Sequence, residues 1–231
     1  GDCTPDICVI PHEELAEEFV RCGMARETLL AAGIPVRAVF RERGDRAAAR
    51  SELALPPEGR HIVLMSGSIG CGPMADIAAE LEKRMERGDF ASVLCGSNRQ
   101  MLYALRRRGF RRVEAVGFTD RVHRYMDSAD VLVSKPGGIS ITEAGTRGTP
   151  LLLADMVGGC ETRNQEFFHA HGWAETCQPE DMADAALALL DQPERRQALV
   201  AQQHRDFDGL AADRIAQAVY DRCRAGEAAK A

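Results

Sequence analysis

The chain has 231 residues, 45% of them hydrophobic and 28% charged, with a formal charge of −6. That length holds one α/β domain with additional helices, on the usual ~100–200 residues per domain. Its apolar runs fall short of the ~20 residues a bilayer span needs, and an acidic chain lacks the basic face that displaces counterions from nucleic acid, so neither a spanning segment nor a nucleic-acid partner is expected.

The amino end, "GDCTPDICVIPHEEL", has neither a basic leader nor a signal-type apolar core, and it begins without Met. Secretion is therefore not expected, and a fragment or processed chain is. "ICVIPHEELAEEFVRCG" reads as a strand and then a helix, with Pro11 and an acidic first turn marking the helix start. The strand has no evident partner, so residues 1–34 read as the tail of a preceding domain. Residues 35–60 form a connector: the Gly/Pro-punctuated "AAGIPVRAVF" runs into it, and the charged helix "RERGDRAAARSELAL" leads to a "PPEG" turn.

Between residues 61 and 205 short apolar runs alternate with amphipathic stretches. The predicted strands are 61–66, 91–96, 113–117, 130–134, 150–154 and 174–177, and the predicted helices lie near 73–87, 98–108, 120–128, 140–147 and 163–171. Continuous rather than alternating apolar strands are buried on both faces, and strands separated by helices imply a parallel sheet. The fold class is α/β, a Rossmann-like doubly wound parallel sheet of about six strands. From Pro179 onward the chain is helix after helix, expected to pack across the sheet, and residues 206–231 form a terminal helix and frayed tail.

Ligands of such sheets bind beyond the carboxyl ends of the strands, so the loops there carry the chemistry. The first, "SGSIGCGPM" (66–74), lets backbone N–H groups approach an anion at a helix start, or is only a tight turn; its spacing matches neither the dinucleotide nor the phosphate-loop pattern. The second, "SKPGGISITEAGTRGTP" (134–150), repeats the arrangement with Gly137 and Gly138 and places Glu143 in the following helix. Ser140 and Glu143 also fit a capping box, in which the carboxylate only satisfies its own helix. The third, "DMVGGCETRNQEFF" (155–168), sets Glu161 and Asn164 three apart, as a polar surface for hydroxyl groups or as helix caps.

Other features read more plainly. The arginines of "LRRRGFRRVE" suit a helix end, with an anionic lipid surface as the alternative. Eight scattered cysteines form no C-x-x-C pair and are expected to be reduced and mostly buried. His169 and His171 fall on different helix faces, and Asp206-Phe207-Asp208 lies in the helical tail, so neither pair reads as a metal site.

These loops resemble the glycosyltransferases that pass a sugar from a UDP-sugar to diacylglycerol: the processive glucosyltransferases and the monogalactosyldiacylglycerol synthases, relatives of the peptidoglycan-precursor N-acetylglucosaminyltransferase. "SKPGGISITEAGTRGTPLLL" is similar to the family's K-P-G-G-[IL]-[ST]-x-x-E-A signature, "VGGCETRNQEFF" to its P-G-Q-E-x-x-N-x-x-[FY] segment, and "AGIPVRAVF" to its inter-domain G-I-P-V segment. The resemblance implies the carboxyl-terminal, donor-binding domain of a two-domain GT-B enzyme, with most of the acceptor half outside this chain and the general base in it. It implies that Glu143 holds ribose hydroxyls and that Gly137, Gly138, Ile139 and Ser140 hold the diphosphate, with Gly67, Ser68 and Gly70 facing the same phosphates. Gly117, Phe118 and Thr119 would line the uracil, Glu161 and Asn164 would read the sugar, and Arg37 would add a diphosphate contact.

No metal or other cofactor is implied, since helix ends and glycine N–H groups can stabilise the departing diphosphate. The resemblance implies a UDP-hexose donor, a lipid acceptor bound through the other half, a cytoplasmic protein peripheral to the inner membrane face, and little turnover by this chain alone. Cys160 departs from the family's Gln, which leaves the choice of hexose open, and Val157-Gly158-Gly159 replaces the family's V-P-G, which loosens the loop. Two alternatives stand beside this reading: a UDP-sugar 2-epimerase of the same fold, and a non-catalytic donor-binding subunit of a split enzyme.

Overall fold

A computed structural model describes residues 5–65, 73–155, 159 and 161–228. The chain divides into two units, residues 38–207 and residues 1–37 together with 208–231. The larger unit is built on six parallel strands: β3 (His61–Met65), β4 (Phe90–Leu94), β5 (Val113–Val116), β6 (Val131–Ser134), β7 (Leu151–Leu153) and β8 (Glu175–Thr176), following β1 (Cys8–Ile10) and β2 (Leu29–Ala31) of the smaller unit. The helices are α1 (Ala16–Arg21), α2 (Arg46–Glu52), α3 (Met74–Arg84), α4 (Arg99–Arg107), α5 (Val122–Ser128), α6 (Gly138–Arg147), α7 (Thr162–Ala170), α8 (Met182–Leu190), α9 (Pro193–Asp206) and α10 (Ala211–Ala228).

The sheet order is β5-β4-β3-β6-β7-β8. The chain winds outward from β3 through β4 to β5, then returns to the centre at β6 and winds the other way. The reversal falls between β3 and β6, whose carboxyl ends are level: Met65 is in register with Ser134. An open α/β sheet forms its binding crevice at such a switch point, where the loops leaving the two central strands diverge.

The strands are continuous apolar runs because both faces are covered. Ile62, Leu64, Val93, Val131, Val133 and Leu152 face α3 and α8, where they meet Ile77, Leu81, Met182 and Leu189. Val63, Leu132, Leu151 and Leu153, also fully buried, alternate to the opposite face, the side of α5 and α6. Burying each such side chain contributes roughly 1.5–3 kcal/mol, so both layers of helices are needed to hold the sheet.

The end of the sheet away from the crevice is clamped by charge. Asp45 caps α2 through the Ala48 N–H at 2.8 Å, and Arg46 forks onto Asp130, with both N–O distances 2.6 Å. Asp130 also accepts from the His61 backbone N–H, so α2 is bonded to the start of β3 through one carboxylate.

In the smaller unit β1 pairs in parallel with β2, Cys8 opposite Leu29 and Ile10 opposite Ala31. This corrects the expectation that the first strand lacks a partner: β2 lies in the same 1–34 segment, after α1. The last third is also divided. α8 packs on β6 and α3, and α9 on α6 and α8, whereas α10 belongs with the smaller unit, where Arg214 donates to the Ala32 carbonyl at 2.9 Å. Among the described cysteines, all of them free, Cys95 is buried, Cys8 and Cys177 are half-buried, and Cys22 and Cys223 are exposed, so the expected burial holds for Cys95 alone.

Candidate functional site

Helix α6 begins at Gly138, with extended Gly137 as its first cap and no side chain capping it. The start is two residues earlier than the sequence pattern predicts. Ser140 is therefore inside the helix and Glu143 falls in the second turn, so the two do not form a capping box. Glu143 is only 6% exposed. The N–H groups of the first turn, at Gly138, Ile139 and Ser140, have no partners within the helix and lie at the positive end of its dipole.

The other end of α6 is fixed. Gly148, at φ 72°, closes the helix in the left-handed conformation that glycine adopts without strain. Arg147 forms a buried ion pair with Asp127 of α5, and its Nη1 donates to the Val39 carbonyl at 2.9 Å. Gly145 leaves room for the Phe207 ring, since a Cβ there would lie 2.9 Å from Cδ2. The helix carrying Glu143 is thus held from two sides, and its amino end follows β6, one of the two strands of the switch point.

Helix α7 supplies the second wall. Glu161 is its first cap by position, yet its side chain makes no capping bond. Its Oε1 lies 2.5 Å from Lys135 Nζ instead. Asn164 does not cap either: its Nδ2 donates to the Pro136 carbonyl at 2.9 Å. Both members of the predicted pair therefore reach across to the segment leaving β6. Gly137 makes this approach feasible, because a Cβ there would lie 3.1 Å from Lys135 Nζ and 3.3 Å from Glu161 Oε1.

The structure thus brings together Gly137, Gly138, Glu161 and Asn164, together with Lys135, which the sequence reading did not select. Its signal was present: a lysine directly before the glycine turn at a strand end. Ile139 is 62% exposed on the first turn of α6. Gly117, Phe118 and Thr119 follow β5, which stands three strands from β6, roughly 14 Å across the sheet. Phe118 is 79% exposed there, and Thr119 Oγ1 accepts from the Arg121 N–H at 3.1 Å.

Arg37 is an exposed residue at the end of the smaller unit's first segment. Gly67, Ser68 and Gly70 lie outside the described residues, as do Val157, Gly158 and Cys160. On the other side of α7 a cavity of about 410 Å3 is lined by Asp155, Thr162, Glu166, His169 and Cys177, and none of the described predicted residues borders it.

The arginine patch holds the end of α4 in place: Arg106 donates to the Ala115 carbonyl, Arg108 to Ala75 and Arg112 to Met85. In the Asp-x-Asp, Asp206 accepts from Trp173 Nε1 at 2.6 Å and Asp208 pairs with Arg214 at 2.7 Å. Each carboxylate has its own partner.

Comparison with known proteins gives the family of the chain. Residues 56–206 match the family described as glycosyl transferases group 1. Over 92% of this chain and 53% of its own length, a processive diacylglycerol β-glucosyltransferase from Staphylococcus saprophyticus is 27% identical. A probable monogalactosyldiacylglycerol synthase 2 from Oryza sativa subsp. indica is 29% identical over 71% of this chain and 37% of its own length.

Among solved structures, a putative UDP-N-acetylglucosamine 2-epimerase from Listeria monocytogenes superposes with a TM-score of 0.67 at 19% identity, covering 95% of this chain and 60% of that one. The Anabaena protein HepE in complex with UDP-glucose does so with a TM-score of 0.61 at 17% identity, covering 94% and 64%. The chain spans about half the length of the bacterial glucosyltransferases it matches. With 151 of 231 residues inside the family match and the doubly wound sheet in place, this chain belongs to the glycosyl transferases group 1 family.

Proposed function

We propose that the chain is the donor-binding half of a hexosyltransferase that moves a sugar from UDP-glucose or UDP-galactose to diacylglycerol or a related lipid. The carrying observation is Glu143: a buried carboxylate in the second turn of a helix that starts, with no side-chain cap, directly beyond β6 at the switch point. In this reading Glu143 accepts from the ribose hydroxyls. The first-turn N–H groups from Gly138 to Ser140 hold the diphosphate, with Gly67, Ser68 and Gly70 on its other side, and Gly117, Phe118 and Thr119 receive the uracil. The likeness to diacylglycerol glucosyl- and galactosyltransferases supports a hexose donor and a lipid acceptor.

Transfer breaks the anomeric C–O bond while negative charge grows on the departing diphosphate, so oriented N–H groups and the α6 dipole lower the barrier. No metal is required for this. Residues 1–34 are the end of an acceptor-binding domain, 35–60 the connector, 61–205 the donor domain and 206–231 the terminal helix and tail. The acceptor base lies in that other domain, and the protein works at the cytoplasmic membrane face as a peripheral protein.

The test is titration of UDP, UDP-glucose and UDP-galactose against wild type, Glu143→Ala and Glu143→Gln. Hydrogen bonds to a charged group contribute ~1.5–3 kcal/mol each, so Glu143→Ala should weaken UDP by ~2–4 kcal/mol. Variants that fold and bind UDP as well as wild type does would remove the ribose role.

A further inference from the structure

The Lys135–Glu161 pair joins the segment leaving β6 to the start of α7; the resemblance gives Glu161 to the sugar, and Lys135 has no part in the reading above. Lys135 follows the last residue of β6 and precedes the glycine turn, so its backbone is fixed by the central sheet. Glu161 opens α7, and Asn164, one turn on, fixes the same wall through the Pro136 carbonyl. The two charged side chains are 25% and 23% exposed. They are shielded enough for the charge to matter and open enough to exchange partners.

Resting on the nucleotide-sugar reading, we propose that Lys135 is a diphosphate-binding cation held in waiting by Glu161. Binding of the donor transfers its ammonium from the carboxylate to phosphate oxygens and releases Glu161 to accept from a hydroxyl of the sugar. Three features of the chemistry support the exchange. A carboxylate beside a site for two phosphates is repelled by its ligand unless a cation stands between them, and Lys135 is the cation in contact with it. Lysine is a compact charge with three rotatable donors on a flexible stem, so it can turn from one acceptor to another where a forked guanidinium would keep its pairing. Gly137 leaves the space above the turn clear of a Cβ, so the ammonium can lie over the backbone N–H groups that face the same anion.

The experiment compares uridine, UMP, UDP and UDP-glucose binding to the 231-residue chain with that of Lys135→Met, Lys135→Arg and Glu161→Gln, with thermal melts to show that each variant folds. Lys135→Met should weaken UDP about ten- to a hundredfold while leaving uridine unchanged, and Lys135→Arg, whose guanidinium keeps its pairing with Glu161, should recover little of the loss. Glu161→Gln should bind UDP at least as tightly as wild type and lose the discrimination between UDP-glucose and UDP. If wild type binds UDP but Lys135→Met keeps the wild-type ratio of UDP to uridine affinity, the exchange is wrong and the nucleotide reading survives. If wild type binds no uridine nucleotide, both fall.

Discussion

Replacing His61 by Gln should change how stability depends on pH, and the structure sets both the sign and the size. His61 is fully buried at the start of β3, with Nδ1 2.9 Å from Ser128 Oγ, Nε2 2.9 Å from Ser92 Oγ, and its ring stacked on Phe90 at 4.4 Å. Burial, with Arg50 and Arg46 nearby and the Ser128 contact opposing, pushes its imidazole down to about 3.

The unfolded chain, with a histidine near 6.5, takes up a proton that the folded protein refuses between those two values. The neutral ring's full contribution is present above about pH 6.5 and is lost at roughly 1.4 kcal/mol per pH unit as the pH falls toward 3. Acidification from pH 7 to 4.5 should therefore cost wild type about 2–3 kcal/mol through this residue alone. Glutamine keeps a neutral polar group but cannot titrate. Urea unfolding at half-unit steps from pH 7 to 4.5 should show His61→Gln less stable at pH 7 and the gap closing on acidification. Asp89 and Asp208, both held below the usual carboxylate range with arginine partners, titrate alike in the two proteins and cancel in the difference. Parallel curves would refute the reasoning, because the serine pair would then be able to hold a protonated ring.

Three further outcomes follow from packing and burial. Asp127→Asn leaves the Arg147 guanidinium, only 3% exposed, without its charge partner, and should cost roughly 3–5 kcal/mol in urea unfolding; a loss below about 1 kcal/mol would mean that this pair does not hold α6. Gly145→Ala drives a Cβ to 2.9 Å from the Phe207 ring, which Trp173 and Phe168 flank at centroid distances of 4.7 and 5.8 Å. The overpacking cost of about 1–3 kcal/mol should exceed the ~1 kcal/mol that alanine gains in a helix, and a raised melting temperature would show that the ring can move aside. Burial pushes the Cys95 thiol up to about 11 and, with Asp181 and Glu180 adding, Cys177 up to about 12. Thiol labelling at pH 8 with peptide mapping should mark Cys22 and Cys223 in the native protein, and Cys95 and Cys177 only after unfolding.

How far this fold and site are legible in the sequence depends on whether each signal is local. The six central strands and the helices between them could be placed because a strand buried on both faces must be apolar at every position, and "HIVLM" and "DVLV" have few other readings. The pairing of β1 with β2 was hidden because each is three residues long and the second lies between a helical turn and a Gly/Pro stretch, too short for any period to show. α10 shows an amphipathic pattern, but a pattern does not name the surface it packs on.

The site divides along the same line. A capping box and a ligand-holding glutamate both require an acceptor near a helix start, so Ser140 and Glu143 could not separate them. What separates them is where the helix begins, and paired glycines conceal that from pattern reasoning, because their backbone freedom suits a turn as well as a first helical turn. Glu161 presented the same ambiguity, and its resolution came from Lys135, 26 positions away, a separation over which sequence carries no contact information. The residues most open to functional reading were therefore the ones whose roles depended on a partner on the neighbouring strand-end loop, and the fold alone supplied that partner.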